Sequence, residues 1–173
     1  MALLSACSPL SVDQIPVREQ RDFLRNIKKV VDAGDLADVA TTSKWLRVDF
    51  DVEDERNIYS ENQREVLGYK VSLRAVAVAK EYDGSENFSY SMFFLRGGEI
   101  RRIFVSARVN RKMICVSSSD VSGIFKGARR RPYGHGSGWE YSYQGCGEKA
   151  VLLYFQFFND GCLYKFGLRQ GDF

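Results

Sequence analysis

AVLLYFQFFNDGCLYKFGLRQ, residues 150–170, carries the clearest secondary-structure signal in the chain. Two apolar runs flank Asn159-Asp160-Gly161, which is the turn chemistry of a β-hairpin. A two-residue loop at either position of this turn gives the same pairing parity and predicts one face that is apolar throughout. The residues predicted to share that face are Val151, Leu153, Phe155, Phe157, Cys162, Tyr164, Phe166 and Leu168. The residues predicted to project from the opposite, wet face of the second strand are Leu163, Lys165, Gly167 and Arg169.

A second hairpin with the same pattern lies earlier in the chain. Residues 88–95 and 100–109 flank Gly97-Gly98, and residues 68–80 precede them with their own strand-like alternation. The predicted apolar face of this hairpin consists of Phe88, Tyr90, Met92, Phe94, Ile103, Val105, Ala107 and Val109. The residues predicted to face outward are Arg102, Ser106 and Arg108. Aligning the two glycine turns places apolar positions on apolar positions and basic positions on basic positions, which indicates a repeat.

Helical signals precede each hairpin. Residues 12–33 carry apolar side chains at helical spacing from about Val17 onward, and Gly34 can end that helix. Asp35 is the predicted N-cap of a second short helix, and Ser118-Ser119-Asp120 opens a third in the same way. Residues 49–67 are charged and poor in apolar side chains, so we expect an exposed insertion there.

These recurrences predict an α+β protein of two tandem units. Each unit is a helix followed by a three-stranded antiparallel meander, with the helices packed on one face of the sheet. The predicted boundaries are a tether over 1–11, a first unit over 12–110 that contains the insertion 49–67, and a second unit over 111–173. The alternative is that two unrelated hairpins share alternation; the repeated order of helix start, turn and facing pattern favours duplication.

Composition bounds the classes of protein to consider. The chain has 173 residues, of which 45% are hydrophobic, so it can bury one substantial core or two small joined ones. Its 25 basic and 22 acidic residues nearly cancel, and the net charge of +3 does not by itself imply a polyanionic partner. No apolar run approaches the roughly 20 residues that a membrane-spanning helix needs.

The first residues predict a lipid anchor. Leu4-Ser5-Ala6-Cys7 looks like a bacterial lipobox, in which the cysteine is lipidated after a signal peptide is cut. The segment before it lacks a charged start and a full apolar stretch. We therefore interpret it as the tail of a signal peptide whose beginning is missing, with Cys7 carrying lipid in the bacterial periplasm. The alternative is a cytoplasmic protein with a chance match.

Cysteine pairing is left open by the sequence. Cys115, Cys146 and Cys162 allow one disulfide and one free thiol. In the predicted hairpin Cys146 and Cys162 lie at opposite ends, roughly 25 Å apart at about 3.3 Å per residue, and this separation excludes a direct bond. A pair that includes Cys115 and three ordinary thiols are the remaining alternatives.

Catalysis has little support. His135 is the only histidine, so a two-histidine mechanism or a histidine-rich metal site is excluded. It lies in a glycine-rich loop over 134–138, which leads into a strand and not into the helix that a phosphate loop requires. The carboxylates near 51–55 form a charged run typical of a solvated face. We expect a protein that is not an enzyme and that uses no cofactor and no metal.

The most distinctive surface candidate is an arginine run followed by aromatic residues. The predicted partner-binding residues are Arg129, Arg130, Arg131, Tyr133, His135, Trp139 and Tyr141. Such residues form the centre of protein interfaces, here facing an acidic partner. Two alternatives remain: an ordinary solvated loop, and a polyanion contact in which arginines grip phosphates and rings stack on bases. An exported protein meets little nucleic acid, so we expect none as a partner.

Several of these segments together resemble the outer-membrane assembly lipoprotein family BamE. The resemblance rests on motifs over 119–127, 138–141 and 153–161: SDV with IFKG, GWEY, and LYFQF with NDG. It covers 112–170 well and 20–109 loosely, and the tandem arrangement is similar to the β-lactamase inhibitor protein fold. The sequence departs from the family at Ala128-Arg129, where glycine-proline usually ends the helix, and in its long insertion.

The resemblance implies a binding module whose sheet and loops hold another protein. Lipoproteins of similar size and layout also serve as periplasmic immunity proteins that block toxins delivered by type VI secretion. We therefore expect a non-catalytic periplasmic lipoprotein that binds and neutralises another protein, either a secreted toxin or an envelope component. The alternative is a structural lipoprotein of outer-membrane or cell-envelope assembly.

Overall fold

The computed structural model describes residues 11–62, 64–132, 138–146 and 150–171 of the chain. The α-helices of this part are α1 (Gln20–Ala33), α2 (Val39–Leu46) and α3 (Ser118–Ile124). Its strands are β1 (Val48–Tyr59), β2 (Val66–Val78), β3 (Phe88–Leu95), β4 (Ile100–Arg108), β5 (Arg129–Pro132), β6 (Trp139–Gln144), β7 (Leu152–Phe157) and β8 (Leu163–Gly171). These eight strands of the described residues form one antiparallel sheet in the order β1-β2-β3-β4-β8-β7-β6-β5.

This single sheet overturns the predicted fold of two tandem units, each with a helix and a three-stranded meander. β4 pairs with β8 along its length, with Val105 opposite Leu168, so the sheet is continuous through its centre. Two of its strands, β1 and β5, lie in segments whose charge predicted exposed loops. The prediction failed there because a strand at the edge of a sheet is held by backbone hydrogen bonds and needs no apolar periodicity.

The core lies between α1 and one face of the sheet. The buried residues of α1 recur at helical spacing and are Phe23, Leu24, Ile27, Val30 and Val31. The Phe23 ring meets the Phe166 ring of β8 edge-on, with centroids 6.1 Å apart. Gly34 ends the helix with a φ of +67°, a left-handed conformation that glycine adopts readily. The predicted end of this helix is confirmed.

The two shorter helices begin at capping side chains. α2 is capped by Asp38, whose carboxylate accepts a hydrogen bond from the Thr41 N–H at 2.9 Å, so the predicted cap at Asp35 is wrong. α3 is capped by Ser117, and the Asp120 carboxylate accepts the Ser117 N–H at 3.0 Å in return. The predicted serine and aspartate start of α3 is therefore confirmed. Within the described residues, no helix is long and apolar enough to cross a membrane.

The β7–β8 hairpin has the predicted register in its centre and departs from it near the turn. Phe155 lies opposite Phe166, both on the core face. A bulge between Gln156 and Phe157 then shifts the pairing by one residue. Because an extra residue reverses the side on which its neighbours project, Leu163 is buried in the core. Its predicted outward position is wrong.

The β3–β4 hairpin follows the sequence prediction more closely. Met92 lies opposite Ile103 and Tyr90 opposite Val105, and all four are buried. Gly98 in the turn has a φ of +81°, in the left-handed region where glycine is favoured. A register shift between Phe93 and Phe94 alters the pairing next to the turn here as well. Alternation and a glycine turn therefore predicted the centre of this hairpin correctly.

β1 occupies much of the segment that the sequence predicts to be an exposed insertion. Its residues 51–57 are all exposed, and Asp51 lies opposite Arg74 of β2 with 3.9 Å between carboxylate and guanidinium. The register with β2 is interrupted in three places. Bulges and charged side chains protect an edge strand from pairing with another chain. β1 therefore closes the sheet on its acidic side.

A buried ionic cluster fixes the segment that leads into α1. The Arg18 guanidinium donates to the Glu81 carboxylate and to the Trp45 carbonyl oxygen, the latter at 2.9 Å. It also donates to the Leu46 carbonyl oxygen at 3.1 Å. Burial raises the pKa of the neighbouring Tyr82 to about 12, against a smaller lowering influence of the Arg18 charge. The cluster joins the chain before α1 to the end of α2 and to the segment after β2.

One disulfide joins the segment before α3 to the turn of the β7–β8 hairpin. Cys115 and Cys162 are bonded, with 5.1 Å between their Cα atoms and 47 residues between them in sequence. The backbone reinforces the link, because the Leu163 N–H donates to the Val116 carbonyl oxygen at 2.8 Å. Of the alternatives that the sequence left open, the structure therefore has the pair that includes Cys115. Cys146 is free and exposed.

Candidate functional site: the open face of the sheet

The sheet has a second face, directed away from α1, which we call the open face. Register defines it, because residues opposite one another on neighbouring strands project to the same side. Its central residues are Lys70, Ser72 and Arg74 on β2, Ser91 and Phe93 on β3, Arg102, Phe104 and Arg108 on β4, Lys165 and Arg169 on β8, and Tyr154 and Gln156 on β7. The open face is thus basic and aromatic where the core face is apolar.

Charge is segregated across the sheet. The five neighbouring strands β2, β3, β4, β8 and β7, all within the described residues, contain no aspartate or glutamate. Their basic residues are Lys70, Arg74, Arg101, Arg102, Arg108, Lys165 and Arg169. Apart from Glu140 on β6, the carboxylates of the described strands lie on the edge strand β1, at Asp49, Asp51, Glu53, Asp54 and Glu55. A net charge of only +3 therefore conceals a strongly positive surface.

A hollow of about 510 Å³ lies in this positive surface. We call it the Phe93 hollow and define it by Lys70, Phe93, Arg102, Phe104 and Arg169, which line it together with Ile58 and Ser91. Phe93 stands in register between Lys70 on one side and Arg102 on the other. Phe104 stands beside Arg169 in the next row. Each of the two phenyl rings therefore has at least one cation beside it on a neighbouring strand.

Two of the cations in the hollow have no anionic partner within the part of the chain that the structure describes. Among the described residues, neither Lys70 nor Arg102 forms an ion pair. Arg74, further along β2, lies 3.9 Å from Asp51 and is partly neutralised. Unpaired cations that share one hollow repel each other, so an anion placed between them removes an unfavourable interaction as well as adding favourable ones.

The arginine run forms β5 at the other edge of the sheet. The Arg130 guanidinium stacks on the Trp139 ring, with 3.6 Å between its central carbon and the ring centroid. The Arg131 Nε donates to Glu140 at 2.7 Å, and the Gln156 amide donates to the other oxygen of the same carboxylate at 3.3 Å. We call Arg129, Arg130, Arg131 and Trp139 the arginine edge. Arg131 is therefore already partnered, whereas the Arg130–Trp139 stack is presented to solvent.

The structure separates the predicted partner-binding residues from one another. Arg129 is exposed on β5 opposite Ser142, on the side of the open face. Tyr141 is buried, and its ring packs against Phe157 with centroids 5.5 Å apart. Tyr141 is therefore a core residue and not a surface contact. Trp139 projects to the same side of β6 but is 44% exposed, because it is the first residue of the strand.

Other predicted positions lie outside the described residues. Tyr133 and His135 fall in 133–137, and the predicted lipidation site Cys7 falls in 1–10. The arginine edge thus retains Arg129, Arg130, Arg131 and Trp139 of the predicted set.

Sequence reasoning missed the Phe93 hollow, although a signal for part of it was present. Arg102 and Arg169 were both predicted to project from wet faces, but on separate hairpins. They come close together because β4 pairs with β8, where Phe104 lies opposite Arg169. A search for strands that carry basic residues and lack acidic ones would have pointed to the same face.

No protein-family model matches this chain, and comparison with curated proteins and with solved structures gives no match either. The resemblance to the BamE and β-lactamase inhibitor protein families therefore stays a prediction. The function has to be argued from the open face and the arginine edge themselves.

Proposed function

We propose that this protein is a non-catalytic binding protein that holds another protein on the open face of its sheet. The observation that carries the proposal is the surface formed by five adjacent strands, which lack carboxylates and present cations and phenyl rings. Arginine and aromatic side chains are enriched at the energetically important centres of protein interfaces. The partner that fits this surface by charge is an acidic protein.

The dimensions of the open face suit a protein partner. Five strands at about 4.8 Å spacing, with roughly seven residues each at about 3.3 Å, give a projected area of about 550 Å². Side-chain relief raises the accessible area above the projection, towards the ~800 Å² per partner of a standard interface. The Arg130–Trp139 stack adds nothing to this area, because Arg130 lies opposite Tyr141 and Trp139 opposite Phe157, on the side of the core. A stiff sheet of this size can be covered without large rearrangement.

An envelope location is part of the proposal. A disulfide such as Cys115–Cys162 persists in oxidising compartments and is rare in the cytosol. Together with the lipobox-like residues that end at Cys7, it favours a bacterial periplasmic lipoprotein held at a membrane face by its lipid. Nucleic acid is scarce there, and this favours a protein as the acidic partner.

The form of binding that we propose is neutralisation. A protein that covers a toxin's active site inhibits it by occlusion, without any chemistry of its own. The open face supports this role because it offers a broad, pre-formed surface, which limits the conformational entropy lost on binding. A toxin delivered into the periplasm, or another envelope protein that must be restrained, is the class of partner that we propose.

The experiment is a pull-down with the full chain as bait and the products of neighbouring genes as prey. An open-face variant, Arg108→Glu with Lys165→Glu, reverses two charges that are adjacent in register. A matched variant, Arg21→Glu with Lys126→Glu, makes the same change in net charge away from that face. We expect the partner to be retained by the wild type and the matched variant and released by the open-face variant.

Two results would contradict the proposal. One is that no protein of the envelope or of the neighbouring genes binds at micromolar concentration. The other is that a bound partner is retained equally by both variants. Neutralisation is tested separately, by growth of cells that express the retained partner in the periplasm with and without this protein.

A further inference from the structure

We infer that the Phe93 hollow is the anchor site of the docking surface and that it takes carboxylate side chains from an acidic, apolar-flanked segment of the partner. The inference rests on the proposed function, because it names the chemistry by which the open face would recognise its partner. It makes a narrower claim, however. A partner could cover the open face without placing anything in the hollow.

The cations fix the charge of the occupant. Lys70 and Arg102 stand on either side of Phe93 with one strand between them, so their backbones are about 10 Å apart. Their long side chains can reach a group over the Phe93 ring from both sides. Arg169 lines the hollow in the next row and adds a third cation. With no carboxylate among the lining residues, the hollow favours an occupant with more than one negative charge.

The geometry of the donors favours carboxylates. A guanidinium presents parallel N–H groups that match the two oxygens of a carboxylate, while an ammonium acts as a compact charge with three donors. The hollow offers both types of donor, Arg102 and Lys70, beside one ring. One carboxylate can therefore bind to Arg102 through both of its oxygens and remain close to the charge of Lys70.

The phenyl rings fix the remainder of the occupant. Phe93 and Phe104 are half-buried and form the apolar floor of the hollow. Small, strongly hydrated anions gain nothing from such a floor, because their hydration shell has to be removed. A segment in which acidic residues flank an aliphatic or aromatic side chain uses both the floor and the cations. Burial of that apolar side chain also lowers the local dielectric and strengthens the ionic contacts.

Single-stranded nucleic acid is the other polyanion that combines charge with apolar faces. It requires ring faces that are free to stack on successive bases. The rings of Phe93 and Phe104 are half-buried among their strand neighbours, and the disulfide favours a compartment poor in nucleic acid. The observations therefore favour an acidic protein segment, and nucleic acid becomes an outcome of the test.

The test measures binding of a short fluorescein-labelled peptide of glutamate and phenylalanine to the full chain by fluorescence anisotropy at low salt. The comparison probes are the same peptide with glutamine in place of glutamate and a single-stranded oligonucleotide of equal charge. The hollow variant is Lys70→Glu with Arg102→Glu, and the matched control is again Arg21→Glu with Lys126→Glu. Folding of each variant is checked by its urea unfolding midpoint.

We expect the acidic peptide to bind the wild type and the control equally and to bind the hollow variant roughly tenfold more weakly or worse. The glutamine peptide should bind the wild type no more tightly than the acidic peptide binds the hollow variant. The inference is overturned if the acidic peptide binds all three proteins alike or binds none. It is also overturned if the oligonucleotide binds more tightly than the peptide and loses affinity in Phe93→Ala.

These outcomes are separable from those of the pull-down. A partner that is retained by the hollow variant, yet released by Arg108→Glu with Lys165→Glu, would leave the proposed function standing and remove the anchor site. If the peptide binds in the hollow but no envelope protein binds the full chain, the anchor site would be supported and the proposed function contradicted.

Discussion

The Arg18 guanidinium donates a hydrogen bond to the Glu81 carboxylate, and the two side chains are 2% and 0% exposed. Removing one partner of a buried ion pair leaves the other charge without compensation and typically lowers stability by about 3 to 5 kcal/mol. We predict a loss of that size in Arg18→Met, measured by urea unfolding at neutral pH. The second Glu81 oxygen is buried and accepts no hydrogen bond from a described residue, so the variant removes the donor that the carboxylate has in this structure.

The matching control is the double variant Arg18→Met with Glu81→Met, which removes both charges. It should recover part of the lost stability, although the Trp45 carbonyl oxygen still lacks the Arg18 donor. The Leu46 carbonyl oxygen still accepts from the Tyr82 hydroxyl at 2.7 Å. Equal stabilities of the single and double variants would show that the ion pair is not what holds the segment before α1.

Two buried tyrosines make stability depend on pH in the alkaline range. Burial raises the pKa of Tyr82 and that of Tyr90 to about 12. In the unfolded chain both titrate near 10, so between pH 10 and 12 the folded state holds protons that the unfolded state has lost. The stability that these two tyrosines contribute should therefore be constant below about pH 10 and fall as pH rises through this window. At about 1.4 kcal/mol per pKa unit, the loss is about 2 to 3 kcal/mol per tyrosine at the upper end.

This pH dependence is measured by urea unfolding at a series of pH values, with Cys146→Ser in every sample to prevent thiol exchange. Tyr90→Phe removes one titrating hydroxyl, which donates to the Leu36 carbonyl oxygen, and should make the decline shallower. A decline of unchanged slope in Tyr90→Phe would contradict the assignment.

The Cys115–Cys162 disulfide should contribute substantially to stability. It closes a loop with a sequence separation of 47, for which loop-closure entropy gives about 4 kcal/mol and measurements on other proteins usually give about 2 to 4 kcal/mol. We predict a loss in that range for Cys115→Ser with Cys162→Ser, measured by thermal and urea unfolding. Cys146→Ser, which changes a free and exposed thiol, should leave stability unaltered. A similar loss in both variants would contradict a specific role of the disulfide.

Gly68 and Gly167 both lie on the open face, and they should differ in how well they tolerate replacement by alanine. A Cβ at Gly68 would lie 1.9 Å from the Phe94 carbonyl oxygen, which is backbone and cannot swing away. A Cβ at Gly167 would lie 2.1 Å from the Tyr154 ring, which can rotate. We predict that Gly68→Ala destabilises by about 1 to 3 kcal/mol and Gly167→Ala by clearly less. The unfolding midpoints test the ranking, and the reverse order would refute it.

Local signals in the sequence predicted the elements whose own residues form the core. The β3–β4 hairpin and the centre of the β7–β8 hairpin alternate and have glycine turns, and α1 has a helical apolar stripe that ends at Gly34. The bulge between Gln156 and Phe157 was not readable, because Cys162, Leu163 and Tyr164 are all apolar and their order does not show which of them projects into the core. β1 and β5 were missed for a related reason: they take their structure from a neighbouring strand.

The candidate site shows the same limit. Trp139 and the three arginines of β5 are near neighbours in sequence, and their position at one sheet edge could be anticipated from that proximity. The Phe93 hollow joins Lys70 to Arg169, which are distant in sequence and meet through the pairing of β2 with β3, β3 with β4, and β4 with β8. Such neighbours follow from the order of strands, which local patterns do not determine.

The placement of acids on one border strand and bases across the middle gives the molecule a large electric dipole. At a negatively charged bead or bilayer it would turn its basic side towards the surface and be retained far more strongly than a protein with an evenly spread charge of +3. For a molecule tethered by lipid to an anionic leaflet, that orientation would hide the very side we assign to its partner. Binding of the basic side to the lipid surface would then compete with binding of the partner.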